Sequence, residues 1–190
     1  YRNQRHLEAV KRAAEALNES GIEFTLFRGL SLALGTYPEI GLRMVDAAQV
    51  AVTPETIAPS IDRLTKAGFA IEGRVTLHGF GLPTRLSYQG GGQIDIHEFI
   101  YGPGWPGKLD QQLQKRRRLL ELDGMPIGTL APSDAVAAAT AHGLSIPALR
   151  YQCLVDLAML TRQTDPAVNW TNLIEDYRDT LLSVPIAEAF

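Results

Sequence analysis

The stretch "GLRMVDAAQVAVTPE", residues 41–55, contains the strand that decides the fold class. Side chains alternate between the two faces of a β-strand, so "AAQVAV" (47–52) divides into two sets. One face holds Ala48, Val50 and Val52, and the other holds Ala47, Gln49 and Ala51. The branched residues predict that the first face lies in the core, which leaves Gln49 on the opposite face. "TPE" then begins a helix, with Thr53 as N-cap and Pro54 at the first helical position.

The segments on either side of this stretch predict further strands. "IEFTLF" (22–27) alternates and is rich in aromatic and branched residues, which is typical of a strand, and it leads through Arg28-Gly29 into a short helix. "TRLSYQ" (84–89) and "QIDIHEFI" (93–100) surround a glycine turn and predict a hairpin. Together these segments predict a mixed sheet.

Helical patterns surround the predicted sheet. Residues 2–19 form an amphipathic pattern, another helix is expected to begin near Lys108, and short strands flank a tight turn at Asp123-Gly124. Three helices are predicted at 132–143, 147–162 and 170–181. We therefore expect an α+β protein, with an α/β core over 1–130 and a helical part over 131–190. That part is expected to pack on the core through Leu149, Leu154, Leu157 and Leu160.

The composition is that of an ordinary globular chain and excludes some classes of partner. The 190 residues carry a formal net charge of -3 and are 45% hydrophobic, so there is no basic excess for bulk nucleic-acid binding. The one cysteine, Cys153, cannot form an internal disulfide, which favours a reducing cytoplasm. No apolar run reaches the roughly 18 residues that span a bilayer, so no membrane segment is expected. We expect a small-molecule or nucleotide ligand, with a peptide or protein substrate as a further option.

Two polar side chains interrupt the predicted strand "QIDIH", residues 93–97. Asp95 and His97 are spaced i and i+2 and therefore project from one face, while Ile94 and Ile96 project from the other. They are candidates for a ligand-binding or acid–base pair in a cleft. The alternative is a polar, exposed edge of the sheet.

Cations and one acid lie near the ends of the first two strands. Arg28 and Gly29 end a strand and open a helix, a position that suits phosphate, although the glycine could serve the turn alone. Arg43 could bind an anion or pair with Asp46. Asp46 precedes the strand and lies on the face opposite to that of Ala47 and Gln49.

The order of these motifs resembles a known family. "LFRGLSLALGTYPEIGLR" (26–43) is followed by "TPE", "QIDIH", "TLAPSDAV" (129–136), "AHG", "LRYQCLVDLAML" (149–160) and "NW". This order is similar to that of the uncharacterised bacterial nucleotidyltransferases of the polymerase-β-like superfamily. The resemblance implies a nucleotidyltransferase-like mixed sheet flanked by helices, with a helical C-terminal part.

The resemblance also implies a metal site, from which this sequence departs. In the superfamily, two strand aspartates and a third on a neighbouring strand hold the divalent metal that bridges a triphosphate. A gapless match places Ala47 and Gln49 at the first two acid positions and leaves Asp95 at the third. Mg²⁺ binds hard anionic oxygens, so neither Ala47 nor Gln49 replaces a carboxylate.

Two hypotheses follow from this departure. In the first, the chain has lost metal-dependent transfer and uses the cleft for ligand binding or non-metal chemistry. Asp95, His97 and Asp46 are then the catalytic candidates, and the ligand-binding candidates are Arg28, Gly29, Arg43 and Gln49. In the second, the chain still moves NMP from an NTP to a hydroxyl or phosphate, with Mg²⁺ or Mn²⁺ held by Asp46 and Asp95.

Overall fold

The structure, a computed structural model, describes residues 2–74, 83–101, 107–145, 150–180, 183 and 186–187. The chain divides into two compact units, Tyr1–Thr129 and Leu130–Phe190. The first holds the sheet and the second is helical. No helix of the described ranges has the length and apolar character needed to cross a membrane.

A seven-stranded mixed sheet forms the first unit, in the order β3-β4-β5-β2-β1-β7-β6. The strands are β1 (Thr25–Phe27), β2 (Ala48–Ala51), β3 (Phe69–Arg74), β4 (Thr84–Tyr88), β5 (Gln93–His97), β6 (Arg118–Leu122) and β7 (Met125–Thr129). The β2–β5 and β1–β7 pairs are parallel and the remaining pairs are antiparallel. The predicted mixed sheet and the β4–β5 hairpin are confirmed.

Within the described residues of this unit, four helices accompany the sheet. They are α1 (Arg2–Asn18), α2 (Gly29–Gly35), α3 (Ile57–Lys66) and α4 (Gly107–Lys115), with a 3-10 turn at Ile40–Leu42. Buried residues of α1 and α3 join one side of the sheet in a single core, and its sheet members include Leu26, Val50, Ile94 and Ile96. The predicted parity of β2 is confirmed, because Ala48, Val50 and Val52 belong to this core.

The helix after β2 begins one turn later than the sequence predicted. The N-cap of α3 is Thr56, and Thr53 instead opens a turn that the amide of Thr56 closes on its carbonyl at 3.0 Å. Pro59 explains the shift. Proline lacks an amide hydrogen and its ring collides with the carbonyl four residues earlier, so it is tolerated only in the first turn of a helix. A start at Pro54 would have placed Pro59 in the second turn.

The strand β3, which follows α3, was not predicted. Most of its residues are exposed, and a bulge between Ile71 and Gly73 interrupts its pairing with β4. An edge strand of this kind lacks the regular apolar alternation that identifies buried strands.

The second unit contains α5 (Pro132–Ser145), α6 (Arg150–Thr161) and α7 (Trp170–Tyr177). The helix α5 contacts both others. Tyr177 donates to the buried carboxylate of Asp134 at 3.1 Å. Of the predicted apolar stripe, Leu157 and Leu160 are buried, whereas Leu154 is exposed on the face that also carries Tyr151; Leu149 lies outside the described residues.

A buried histidine joins α1 to the start of β5. The backbone N–H of Gln93 donates to Nδ1 of His6 at 3.0 Å, and the side chain is only 4% exposed. Burial, and then the charge of Arg2, lower the pKa of His6, while the charge of Asp46 opposes the change. The hydrogen bond also requires an unprotonated Nδ1, so the folded protein favours neutral His6.

The lowered pKa of His6 predicts a stability that falls in mild acid. The unfolded chain binds the proton first, so this contribution is complete above about pH 6.5 and is lost as the pH falls towards the lower folded pKa. His6→Asn should reduce the slope, because its Oδ1 can accept from Gln93 without titrating. Urea unfolding of both proteins between about pH 5 and 8 measures the difference. Equal slopes would contradict the assignment.

Candidate functional site

Four side chains form a row across the sheet face opposite the core. Phe27 on β1 pairs with Gln49 on β2, Gln49 pairs with Asp95 on β5, and Asp95 pairs with Arg85 on β4. Directly paired residues of neighbouring strands project to the same face, so these side chains lie side by side. His97 follows Asp95 at i+2 and shares that face. The predicted projection of Asp95 and His97 from one face therefore holds.

The carboxylate of Asp95 is fully buried at the centre of this row. Arg85 donates from Nε to Oδ1 at 2.7 Å and from Nη2 to Oδ2 at 2.8 Å, which makes a two-point ion pair. Gln49 Nε2 adds a third hydrogen bond to Oδ2 at 3.0 Å. The pairing with Asp95 raises the pKa of Arg85. Such bidentate, charge-assisted bonds are among the strongest in proteins and compensate the desolvation of a buried carboxylate.

The amide of Gln49 connects Asp95 to His97. Its Nε2 donates to Asp95 and to the carbonyl of Ala47 at 3.2 Å, so its Oε1 is the acceptor for Nε2 of His97 at 2.6 Å. His97 must therefore carry its proton on Nε2 in this arrangement. The ring of Phe27 packs edge-on against His97, with centroids 5.1 Å apart. The histidine is thus held both by a hydrogen bond and by packing.

Arg28 lies buried at the end of β1, beside the same cluster. Its backbone has a positive φ of 58°, which is costly for a residue with a side chain. The guanidinium lies 4.9 Å from the ring centroid of Phe27 and donates to the carbonyl of Ile100 at 3.2 Å. Burial lowers the pKa of Arg28 to about 9, while the charges of Tyr101 and Asp95 oppose the change. Arg28 therefore remains a cation at neutral pH.

Arg43 reaches this region through the glycine that follows Arg28. A Cβ at Gly29 would lie 3.1 Å from Nη1 of Arg43, so the absence of a side chain lets the guanidinium pack against the turn. The same Nη1 donates to the carbonyl of Met44 at 2.7 Å. The structure thus places the guanidinium of Arg43 beside the Arg28-Gly29 turn. The ligand-binding role of Arg28, Gly29 and Arg43 stays a prediction.

Asp46 lies just before β2 and forms an ion pair with a residue outside the row. Its carboxylate, 85% exposed, accepts from Nη2 of Arg2 at 2.6 Å, so Arg2 rather than Arg43 is its partner in this ion pair. Asp46 is still near enough to contribute weakly to the raised pKa of Arg85. Because its bond is exposed, a ligand could compete for it at small cost. The catalytic role suggested for Asp46 stays a prediction.

The side chains at the implied metal positions do not suit a divalent cation. Ala47 offers no side-chain oxygen, and Gln49 uses its only one to accept from His97. Both oxygens of Asp95 already bind the guanidinium of Arg85. Within the described ranges there is no group of three or more His, Cys, Asp and Glu side chains placed to hold a metal. This donor set lacks the anionic oxygens that Mg²⁺ requires.

The profile of one protein family matches residues 1–190 and describes an uncharacterised nucleotidyltransferase. The chain belongs to this family. The resemblance predicted from the motif order is therefore confirmed. No curated protein matches the chain.

Solved structures with the same fold agree with this assignment. The antibiotic-resistance factor ANT(2'')-Ia has a TM-score of 0.60 and 9% identity, with 98% of this chain and 93% of that chain covered. An antigenic nucleotidyltransferase-like protein from Paracoccidioides brasiliensis has a TM-score of 0.58 and 14% identity, covering 97% and 93%. The lincosamide antibiotic adenylyltransferase LnuA, in a lincomycin-bound structure, has a TM-score of 0.53 and 11% identity, covering 82% and 96%. At these identities the likeness establishes the fold alone, and the predicted nucleotidyltransferase-like α+β class is confirmed.

Arg85 is the member of the site that the sequence analysis missed. The signal was present in the predicted hairpin, because Arg85 and Asp95 lie on strands joined by the turn near Gly90. Arg85 lies on the face of Asp95 and His97 in the observed register and in any register that differs from it by an even number of residues. Reading each strand separately concealed the pair.

The ion pair predicts a non-additive pattern of stability. Arg85→Gln leaves the buried carboxylate of Asp95 without its cation and should cost about 3 kcal/mol of unfolding free energy. Adding Asp95→Asn should recover much of this loss, because the two neutral amides can bond each other. Arg74→Gln, on the neighbouring strand β3 at an exposed position, is the control and should cost less than about 0.5 kcal/mol. Urea unfolding is measured for five proteins: the natural sequence, Arg85→Gln, Asp95→Asn, the double variant and the control. Strict additivity of the two changes would contradict the pairing.

Proposed function

We propose that this chain is a divergent nucleotidyltransferase-fold protein that uses its cleft to bind a ligand without catalytic metal. The observation that carries the proposal is the state of Asp95. Asp95, at the third acid position that the resemblance implies, is buried and bound by Arg85 and Gln49, so its charge is already compensated. Phosphoryl transfer in this superfamily depends on metal to position and neutralise the phosphates.

The ligand is proposed to be a small molecule or nucleotide, with a peptide or protein substrate as the wider option. The structural neighbours support the first choice, since LnuA has been solved with lincomycin bound. Arg28, Gly29, Arg43 and Gln49 are the proposed ligand-binding residues. Their support is that Nη1 of Arg43 lies against Gly29, while the guanidinium of Arg28 lies near Phe27. Phe27 pairs directly with Gln49 in the row.

Any remaining chemistry is proposed to rest on Asp95 and His97, with Asp46 at the rim. His97 carries its proton on Nε2, towards Gln49, and the buried Asp95 fixes the orientation of that amide. This arrangement supports His97 as an oriented proton donor or acceptor better than it supports Asp95 as a general base, because the carboxylate is already bound by Arg85. Asp95 then acts through Gln49, while His97 is the group suited to proton transfer.

An active, metal-dependent nucleotidyltransferase is the second candidate, and the family membership favours it. It requires Asp46 to exchange Arg2 for a metal and Asp95 to release Arg85. Separating Asp46 from Arg2 costs little free energy because that pair is exposed. Separating Asp95 from Arg85 costs more, because the carboxylate is fully buried. The unequal difficulty of the two steps supports the metal-free function.

Metal binding and NTP turnover distinguish the two candidates. The natural sequence should bind Mn²⁺ weakly in calorimetry and should release little pyrophosphate with ATP, GTP, CTP or UTP. Asp46→Ala should leave both results unchanged, because Asp46 holds no metal in the proposed function. Strong Mn²⁺-dependent turnover that Asp46→Ala abolishes would establish the second candidate and defeat the first.

Restoring the missing acids should recover metal binding only if Arg85 is also removed. Ala47→Asp with Gln49→Asp places two carboxylates beside Asp95, but Arg85 can pair with them and compete with the metal. Adding Arg85→Met should therefore raise the Mn²⁺ affinity by about tenfold or more over the double variant. Arg85→Met alone serves as the control and should stay a weak binder. Equal affinity of the double and triple variants would show that Arg85 does not occupy the place of the metal.

A further inference from the structure

The guanidinium of Arg85 is held by an ion pair through only two of its three nitrogens. Two of its nitrogens, Nε and Nη2, bind the carboxylate of Asp95. The remaining nitrogen, Nη1, makes no hydrogen bond to any residue that the structure describes, and the side chain is 26% exposed. A guanidinium held in this way has lost much of its conformational freedom before any ligand arrives.

The neighbouring strand leaves space beside Arg85. The residue that pairs with Arg85 on β3 is Gly73, at the bulge of that strand. A Cβ added at Gly73 would meet no atom of the described residues within 4 Å. Gly73 itself therefore places no side chain beside Arg85, and the position that its Cβ would take is clear of described atoms.

Charges of both signs lie around Arg85. The charges of Asp95, Glu72 and Asp46 raise its pKa, whereas Arg28 lies near Phe27 at the other end of the row. Of these acids only Asp95 bonds Arg85, since Glu72 accepts from Gln93 and Asp46 pairs with Arg2. A guanidinium that is partly shielded from water attracts an anion more strongly than a fully exposed one.

We propose that Arg85 binds an oxyanion of the ligand, a phosphate or a carboxylate group, directly and without a bridging metal. The inference rests on the proposed metal-free function and deepens it by naming the ligand class and the residue that recognises it. Nη1 of Arg85 donates to the anion, and Asp95 keeps the guanidinium oriented. The carboxylate that the superfamily uses to hold metal serves here to position an arginine.

This role predicts opposite effects for the two members of the ion pair. Removing the charge of Arg85 weakens anion binding, because a charge-assisted hydrogen bond is lost. Replacing Asp95 by Asn strengthens it, because the amide oxygen can still accept a hydrogen bond from Arg85 and hold it, while the positive charge of Arg85 is no longer compensated. A site that needs metal behaves in the opposite way for Asp95, since loss of a metal ligand weakens the binding of a metal-bound phosphate.

Calorimetry in excess EDTA tests the proposal with ATP, pyrophosphate and citrate as probes. The natural sequence is expected to bind at least one of them, and the tightest binder tells a phosphate ligand from a carboxylate ligand. Arg85→Gln with Asp95→Asn is expected to lower the affinity about tenfold or more. Asp95→Asn alone is expected to raise it by about threefold or more. The paired variant avoids an uncompensated buried charge, and thermal unfolding confirms that each protein is folded.

A surface depression beside the helices α1 and α3 supplies the matched control. Arg12, Arg63 and Lys66 line it, together with the acid Glu19. Arg63→Gln removes one of these charges and is expected to leave the affinity for every probe unchanged. An equal loss with Arg63→Gln would mean that the anions bind surface cations at random and would overturn the proposal.

Three further results would also overturn it. These are an affinity that the paired variant leaves unchanged, a loss of affinity in Asp95→Asn, and a natural sequence that binds none of the probes in EDTA. None of them concerns Mn²⁺-dependent turnover, which tests the proposed function separately. A protein that binds no anion and shows no turnover would therefore defeat only the role of Arg85.

Discussion

The compensation of one buried charge, that of Asp95, governs the arrangement of this site. A carboxylate without exposure to water needs a cation and a full set of hydrogen bonds, or it destabilises the fold. Arg85 supplies the cation with two bonds and Gln49 supplies the third. Because Nε2 of Gln49 donates to Asp95, its Oε1 faces His97 as an acceptor. Nε2 of His97 must therefore carry the proton. The need to compensate the charge of Asp95 therefore fixes the side chains of Arg85, Gln49 and His97.

The sheet makes this compensation possible through its register. Phe27, Gln49, Asp95 and Arg85 are directly opposite one another on four successive strands, β1, β2, β5 and β4. A slip of one residue in any of these strands would bring the core side chains to this face and bury the polar ones against α1 and α3. The packing of the apolar face thus protects the polar row, because the core resists every alternative register.

The sequence predicted this arrangement as far as local patterns reach. Alternation identified the two faces of β2 and β5, and the glycine turn identified β4 as the hairpin partner of β5, since both signals lie within a few residues. The start of α3 was wrong because a good N-cap at Thr53 competes with Pro59, whose effect depends on its position within the helix. The partner of Asp46 was beyond the reach of local patterns, because Arg2 lies 44 residues away. The partner of Asp95 lay within the predicted hairpin, and it was missed because each strand was read separately.

The separation of the two sheet faces explains how such a site can change while the fold persists. The core shared with α1 and α3 draws on Leu26, Val50, Ile94 and Ile96, and none of these residues belongs to the polar row. Exchanging an acid for Ala47 or Gln49 therefore alters charge on one face and leaves the packing of the other intact. The structural neighbours illustrate the same independence, since they keep the fold at 9–14% identity. Fold membership constrains the backbone, whereas the chemistry follows from which charges the polar face carries. In this chain that face holds Arg85 against Asp95, and the partner that we propose for such a face is therefore an anion rather than a metal.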